Sequence, residues 1–521
     1  MASTLMTPGV YIEEKNAFPS SAVAVETAVP AFIGYTEIAE RNGKSLISIP
    51  TRLTSFAEYV ESFGGGFKSR FTLADPDPKV KSETFNLAGV QKLVKINDKN
   101  TAYLYNSIRL FFANGGGPCF IVSVGTYGDK PDGFDILAAD FIGSADKPVS
   151  PLQLLEKEYE PTLVVIPDAI SLGEDCYTTI YTAVLNHCGN MQSRFAILDL
   201  VQQQPDEDTA VIVDNFRTKI GINYLNYGAA YYPWLKTSIV QPGEVDFENL
   251  DDAVDLETIL PEAAAQEVVN KYNANSKTLA SDLAGLKDPL EIANKKIDIQ
   301  NAKRNFHLAL KATSPTYANM LEEIRSTLNE LPPAAAMAGI YTLVDSSRGV
   351  WKAPANVSLN MVNAPSVSVS NEGQQNLNVD VMAGKSVNVI RAFPGIGPLV
   401  WGGRTLDGNS QDWRYINVRR TLIMIEQSVK LATRAYIFEP NDANTWITVK
   451  SMINNFLVNL WKQGALAGAA PEQAFDVQIG LGATMTATDI LDGKMLITVK
   501  VAIVRPAEFI VITFQQQMQQ S

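Results

Sequence analysis

Two aspartates follow short apolar runs, at positions where α/β enzymes place catalytic or metal-binding carboxylates. Asp168 closes the stretch LVVIPD, and Asp199 closes FAILD. Because the carboxyl ends of parallel strands meet at one edge of a sheet, such a pair could act in phosphoryl transfer or hydrolysis. An aspartate at a strand end also caps turns and helices, and no phosphate loop accompanies these two. An α/β phosphotransferase or hydrolase using Asp168 and Asp199 is the alternative functional hypothesis.

Glycine triplets occur at residues 64–66 and 115–117 and raise the possibility of a phosphate site. Phosphate loops run from strand to glycines to helix, which aims free N–H groups at the anion. Here the order is reversed, since the helical patterns SFAEYVESF and YLYNSIRLFF precede the glycines. Glycine after a helix is typical of a left-handed C-cap, so both triplets are predicted to be structural turns.

Sulfur and imidazole ligands are sparse. Cys176, His187 and Cys188 could be soft metal ligands, but adjacent His and Cys rarely face one metal and no fourth ligand is spaced nearby. Together with Cys119 the three thiols form no disulfide framework, and His307 is expected to be solvated. No Gly-x-Ser-x-Gly motif is present. We therefore predict no catalytic residue, no cofactor and no metal site, and a protein that is not an enzyme.

The charge composition bears on possible partners. The net charge is -13 with a pI near 4.9, which argues against nucleic-acid binding because phosphate backbones require concentrated Lys and Arg. The start of the chain lacks the basic and apolar regions of a signal peptide, and no apolar run approaches the roughly 18 residues of a membrane span. We expect synthesis in the bacterial cytoplasm without a signal peptide, and no direct membrane insertion.

The elements that must position these residues alternate between strand and helix. From Ala31 to Leu235, short apolar strands such as AFIGYT, CFIVSV and RFAILDL interleave with amphipathic helices, which predicts an α/β layer with a largely parallel sheet. Residues 241–330 are predicted to be a mainly helical insertion with a polar surface. A second unit follows, with a helix opening at Pro332 and Pro333 and a long helix from Ile416 to Tyr436. The predicted fold class is multidomain α/β, with a mixed α+β second part.

Both ends of the chain carry short strand-forming segments, TPGVYIEE and AEFIVITF. Unpaired segments of this kind are an aggregation hazard unless they pair with something, and another copy of the chain is an obvious partner. Pairing within the same subunit remains the alternative. The predicted inter-subunit arm residues are Pro8, Gly9, Val10, Tyr11 and Ile12 at the beginning and Ala507, Glu508, Phe509, Ile510 and Val511 at the end.

Several stretches give the chain a resemblance to the contractile tail sheath family of myophages and phage-tail-like injection systems. They are TPGVYIEE, FFANGGGPCFIVSV, PPAAAMAGIYTLVDSSRGVWKAPAN, GRTLDGNSQDWRYINVRRTLIMIEQSVK and VRPAEFIVI. The signal is most specific in the Trp351–Pro354 and Trp413–Arg420 runs, and the helical insertion carries almost none of it. A non-contractile tube or a capsid-like shell protein would share self-assembly, and stays open as a third interpretation.

The resemblance implies a structural subunit of stacked hexameric rings, or a helical array, that contracts to drive an inner tube through a target envelope. The implied partners are further copies of the chain, the inner tube protein, and baseplate and tail terminator or cap proteins. The expected organisation is an N-terminal strand arm over 1–20, an α/β outer region over 21–240, the helical insertion over 241–330, an inner, tube-facing domain over 331–504 and a C-terminal arm over 505–521. The assembled particle would be a phage tail or an injection device.

A basic stripe is predicted on the long helix. At 100° per residue Arg419, Arg420, Lys430 and Arg434 fall on one side, and residues 388–521 carry 12 Lys and Arg against 10 Asp and Glu in an otherwise acidic chain. The resemblance makes this the tube-facing wall, so we expect the stripe to meet an acidic tube. The alternative is that the basic side chains only face solvent, with Glu426 of the same helix as their ion-pair partner.

Overall fold

The computed structural model describes residues 22–76, 84–87, 89–97, 99, 101–202 and 207–511. The chain forms two compact units: a sheet unit, Thr27–Arg419, and a terminal unit, Met1–Glu26 with Arg420–Ser521. The predicted α/β fold class is confirmed. The predicted domain boundaries refer to regions of an assembled particle and stay predictions.

The strands of the sheet unit are β1 (Pro30–Thr36), β2 (Glu40–Arg41), β3 (Lys44–Ser45), β4 (Thr51–Leu53), β5 (Phe71–Ala74), β6 (Phe85–Leu87), β7 (Val90–Ile96), β8 (Cys119–Thr126), β9 (Leu163–Val165), β10 (Phe195–Asp199), β11 (Gly228–Tyr232), β12 (Leu235–Thr237), β13 (Glu330–Leu331), β14 (Val362–Pro365), β15 (Val387–Phe393) and β16 (Gly397–Val400). The terminal unit has β17 (Phe475–Ile479) and β18 (Ile497–Val501).

The α-helices are α1 (Phe56–Phe63), α2 (Leu104–Ala113), α3 (Ala138–Ile142), α4 (Pro151–Leu155), α5 (Thr182–Met191), α6 (Thr209–Lys219), α7 (Leu256–Ile259), α8 (Ala263–Gly285), α9 (Pro289–Thr313), α10 (Pro315–Leu328), α11 (Ala334–Arg348), α12 (Asn371–Asn378), α13 (Ile416–Thr433), α14 (Ala443–Lys462), α15 (Pro471–Ala474) and α16 (Ala487–Leu491). Helix α13 begins in the sheet unit, and from Arg420 its residues belong to the terminal unit.

An eight-stranded sheet forms the centre of the sheet unit, in the order β16-β15-β11-β10-β9-β1-β8-β4. The six strands from β15 to β8 pair in parallel, and β16 and β4 close the edges antiparallel. The middle strands are buried along their whole length, which explains their continuous apolar sequences. Helices α2 and α11 pack on this sheet through a common core that includes Phe111, Ile340 and Tyr341.

The helical insertion packs on a separate three-stranded sheet of β5, β7 and β6. Phe71 and Phe85 of that sheet share a core with Phe306, Tyr317 and Met320 of α9 and α10. In the terminal unit, β17 and β18 form a two-stranded antiparallel sheet. Among the described residues, no helix combines the length and apolar character needed to cross a bilayer.

Candidate functional site

Asp168 lies just beyond β9 and is fully buried. Its Oδ1 accepts hydrogen bonds from the backbone N–H groups of Tyr103 (2.7 Å) and Leu104 (3.0 Å), and its Oδ2 accepts one from Tyr35 (2.9 Å). Helix α2 has no side-chain cap of its own, so Asp168 supplies the acceptor for its first turn. Burial raises the pKa of Asp168 to about 6, and the three N–H donors oppose that shift.

Asp199 has the same structural role at a second helix. It ends β10, is buried, and its Oδ1 accepts the backbone N–H of Ala334 at 2.7 Å. Ala334 is the first residue of α11, whose own N-cap residue, Pro333, offers no side-chain hydrogen bond. Burial raises the pKa of Asp199 to about 8, and the Ala334 hydrogen bond opposes the shift. The two aspartates therefore anchor helices to the sheet, which is the structural role weighed against catalysis.

The glycine turns have the predicted geometry. After α2, the N–H of Gly116 reaches the carbonyl of Phe111 at 3.0 Å, the N–H of Gly115 reaches that of Phe112 at 3.3 Å, and Gly115 has φ +92°. This is the double hydrogen bond of a Schellman motif, in which the left-handed residue is usually glycine. Gly64 ends α1 with φ +79°. Both triplets begin at helix C-termini, whose dipole disfavours an anion.

The thiols and histidines do not assemble into a metal site. Cys119, Cys176 and Cys188 are buried, and burial raises the pKa of each thiol, to about 12 for Cys188. The described part of the chain contains no group of three or more His, Cys, Asp or Glu arranged to hold a metal ion. His307 is half-buried, with its Nδ1 2.9 Å from the Tyr317 hydroxyl, so it is not simply solvated as expected.

His187 has a different partner, which sequence reasoning missed. Its Nε2 lies 2.6 Å from Nη1 of Arg194, a side chain with no exposed surface. Because arginine only donates, His187 Nε2 is the acceptor and the imidazole is neutral, consistent with a pKa lowered by burial and by Arg194 to about 4. Arg194 also donates to the carbonyls of Leu155, Glu158 and Pro161. Only the folded structure surrounds Arg194 with acceptors, and its neighbours in the sequence do not mark it as buried. The sequence therefore could not predict this pair.

The predicted strand arms are described at one end only. Pro8, Gly9, Val10, Tyr11 and Ile12 lie outside the described residues. At the other end, residues 507–511 follow β18 without being assigned to a strand. Phe509, Ile510 and Val511 are 72%, 79% and 89% exposed. Three consecutive large apolar side chains in solvent are unusual on a chain that acts alone.

The two-stranded sheet of the terminal unit has open edges. β17 and β18 pair from Phe475 with Val501 to Ile479 with Ile497, and no third strand joins them within the described chain. Each strand therefore has one edge whose N–H and C=O groups no described strand pairs with. A small sheet of this kind is an acceptor for strand addition.

The predicted basic stripe is divided by burial. Arg419 and Arg420 are 4% and 3% exposed, so they do not belong to an exposed stripe, and that part of the prediction is corrected. The Arg419 guanidinium lies 4.4 Å from the ring centre of Tyr227 and 4.7 Å from that of Trp413, and it donates to the Tyr227 hydroxyl. Aromatic stacking accounts for its burial. Lys430 and Arg434 are exposed on the terminal unit.

Sequence and structure comparisons extend these observations. The Phage tail sheath C-terminal domain family matches residues 409–517. A tail sheath protein of Vibrio phage KVP40 is 21% identical over 201 residues, so this chain spans only 28% of that relative's length and matches it with 37% of its own.

Two solved structures match over nearly the whole chain. The sheath complex of the PVC extracellular contractile injection system, in its contracted state, is 28% identical with a TM-score of 0.58, covering 99% of each chain. The contracted helical sheath of the anti-feeding prophage is 30% identical with a TM-score of 0.57, covering 99% of this chain and 100% of that one. The similarity thus includes the helical insertion, where the motifs gave almost no signal.

Proposed function

The chain belongs to the contractile tail sheath protein family, and from that membership we propose that it is a structural sheath subunit of a phage-tail-like contractile particle. The observation that carries the proposal is the 30% identity to the anti-feeding prophage sheath over the full length of both chains. A match of that extent includes the parts of the fold through which copies would meet, and not a shared domain alone.

The proposed assembly consists of stacked hexameric rings, or the equivalent helical array, around an inner tube. Contraction would shorten and widen this array and drive the tube through a target envelope. The first proposed partner is a further copy of the same chain, because one similar protein was solved as a helical sheath. The second is a baseplate, because another similar protein was solved in a baseplate. Tube and terminator or cap proteins complete the proposed set of partners.

Strand exchange is the proposed link between copies. The exposed apolar residues Phe509–Val511 would leave their own chain and extend the open edge of the β17–β18 sheet in a neighbour, with the segment around Pro8–Ile12 as the second donated strand. Main-chain hydrogen bonds would supply affinity, and alternate side chains would supply register. Arms that stay paired while compact bodies rotate allow a lattice to change packing without dissociating.

The proposed tube-facing surface is the exposed C-terminal end of α13 with the turn that follows it, represented by Lys430 and Arg434. Exposed cations contribute weak, screened contacts to an acidic partner, of about 0 to 1 kcal/mol each. Contacts of that strength suit a sheath that must hold the tube during assembly and release it during contraction. We propose no catalytic role for Asp168 and Asp199, because their carboxylates accept backbone hydrogen bonds at helix N-termini.

Truncation of the chain tests the proposal. The full chain, co-expressed with its tube protein, should form long filaments in electron micrographs, in an extended tube-filled form and a shorter, wider form. Ending the chain before Ala507, or removing residues 1–14, should leave the melting of the subunit unchanged and abolish long sheaths, because each deletion removes a donated strand rather than core.

Removal of residues 515–521 alone is the matched control, because it retains AEFIVITF and deletes only the polar tail QQQMQQS. This variant should assemble normally. Sheaths of normal length from the chain that ends before Ala507 would refute strand exchange. Failure of the intact chain to form any filament with its tube would refute the sheath function itself.

A further inference from the structure

Phe438 is a large apolar side chain fixed in an exposed position. It lies in the loop between α13 and α14, its side chain is fully exposed, and the neighbouring Ile437 is 62% exposed. Its φ is +71°, a left-handed conformation that bulky residues adopt only when the surroundings impose it. Glycine at this position would remove both the strain and the exposed apolar surface, so Phe438 carries a cost in the isolated chain.

The loop around Phe438 is held in place by its own hydrogen bonds. Asn441 donates from Nδ2 to the carbonyl of Lys494 at 2.9 Å and accepts Nε1 of Trp446 at 2.7 Å. Asp442 caps α14 by accepting the N–H of Thr445. Phe438 therefore projects from a loop whose next residues are hydrogen-bonded, a setting that lowers the entropy cost of an anchor residue at an interface.

An apolar groove opens in the same unit, and its lining extends to Tyr436, two residues before Phe438. Residues 22–25 run along α13, where the N–H of Val25 donates to Ser428 Oγ at 3.0 Å. Between this segment and the helices lies an open groove of about 520 Å³. Besides residues 22–25, its apolar lining comes from Leu431, Ala432, Ala435 and Met452. No side chain of the described residues fills the groove. Two of its lining residues, Val23 and Leu431, are therefore 79% and 44% exposed.

We infer that Phe438 of one copy inserts into this groove of the next copy in the sheath. The inference rests on the proposed function, because a ring or helical array requires a heterologous contact between two different, complementary surfaces of each chain. The terminal unit carries such a pair, an apolar projection and an apolar groove. Its charges are also complementary, since exposed Glu439 adjoins Phe438 while exposed Lys430 adjoins Leu431 of the groove.

Disulfide trapping in assembled sheaths tests the contact. The double variant Phe438→Cys with Ala432→Cys places one thiol on the projection and one in the groove, and the three native cysteines are buried. Mild oxidation of polymers should give a ladder of covalent multimers, because every copy offers both sites. Mixed polymers of the two single variants should give dimers and nothing longer. Phe438→Cys with Leu290→Cys is the matched control, since Leu290 is an exposed leucine of the insertion, and should give no ladder.

Two further variants test the contact without a crosslink. Phe438→Ala removes the projection and Ala432→Trp fills the groove; each should raise the critical concentration for polymerisation at least about tenfold, with the melting of the free subunit unchanged. Glu439→Lys should have a smaller effect in the same direction.

The results separate the contact from the sheath function. Polymers that form normally but give no ladder would overturn the contact and leave the function intact. Trapping of Phe438→Cys on a cysteine introduced into the tube protein, or of Ala432→Cys on a cysteine introduced into residues 1–21, would assign another occupant and also overturn it. Absence of any polymer from the unmodified chain would overturn both.

Discussion

Inside the sheet unit, charged groups are buried and bonded within the chain, whereas on the terminal unit large apolar groups are exposed. Asp168 and Asp199 have no access to water yet accept backbone N–H donors, and Arg194 is enclosed by carbonyls. Phe438 and Phe509–Val511 lie in solvent. The first region is the buried interior of one copy, and we propose that a partner covers the second. Substitutions in the first should therefore change subunit stability, and substitutions in the second should change assembly.

The largest expected effect is that of Asp168→Ala. It would leave the N–H groups of Tyr35, Tyr103 and Leu104 without their acceptor, at about 1 to 3 kcal/mol for a buried group and less for Tyr103, which is only partly buried. We expect a loss of about 3 to 6 kcal/mol in the free energy of unfolding, measured by denaturant titration of the free subunit. Asp168→Asn keeps one carbonyl oxygen, which can accept at most two of these hydrogen bonds. Its free energy of unfolding should therefore fall by less. If Asp168→Ala is as stable as the wild type, the hydrogen bonds to Asp168 do not stabilise the interior of the sheet unit.

Asp199 gives the sheet unit a dependence on pH. Its pKa is raised in the folded chain to about 8 from an ordinary value of 3.8, so the unfolded state releases its proton first as pH rises. Its contribution to stability is therefore fully present below about pH 4 and is lost between pH 4 and 8, at no more than about 1.4 kcal/mol per pH unit.

Asp199→Asn tests this dependence because it preserves the shape and an acceptor for the Ala334 N–H but cannot ionise. The variant should be more stable than the wild type at pH 8, with a smaller difference at pH 5, in thermal melts of the free subunit at both pH values. An identical slope in both proteins would mean that another group sets the dependence.

Gly115→Val should act through the backbone. At φ +92° a side chain is strained, and a Cβ would lie 3.0 Å from Cβ of Leu343 on α11. A loss of about 1 to 2 kcal/mol is expected from the conformation alone, with more from a β-branched residue against the helix. Gly117→Val is the control, because a Cβ there meets Thr342 at an ordinary 3.5 Å. Equal melting temperatures of these two variants would contradict the Schellman assignment.

The sequence predicted what depends on neighbouring residues. Apolar runs located the parallel strands, Pro333 and Gly349 marked the ends of α11, and the helix–glycine–strand order identified the turn at Gly115. It did not reveal that β15, which lies within the predicted second unit, joins the central sheet beside β11, because strands far apart in the sequence leave no local signal of their pairing.

The candidate surfaces were predicted less completely for the same reason. Helical spacing placed Arg419 beside Lys430, but only the fold brings Tyr227 and Trp413 around Arg419 and buries it. The positive φ of Phe438 likewise occurs in a loop that the hydrogen bond from Asn441 joins to Lys494, in a separate segment. The aromatic residues in the stretch YIFEPND could have drawn attention to an exposed loop, but not to its strain.

The smallest expected effect on the subunit comes from Lys430→Glu with Arg434→Glu. Both side chains are exposed, so the melting of the free subunit should change by no more than about 0.5 kcal/mol. Assembly should respond more, because a reversed surface repels an acidic tube: extended, tube-filled particles should be rare, with empty contracted sheaths in their place. Reversal of the exposed Lys450 and Lys462 on α14 makes the same change in charge and should leave assembly normal.

A third variant separates the two partners that these cations could serve. If they meet Glu439 of the next copy rather than the tube, adding Glu439→Lys to the double reversal should bring back extended, tube-filled particles, because opposite charges again face each other across the contact. If they meet the tube, that addition should not bring back tube-filled particles, whereas acidic-to-basic changes on the tube should. If the triple variant assembles normally with an unchanged tube, Lys430 and Arg434 do not belong to the tube-facing surface. They would then belong to the contact between copies.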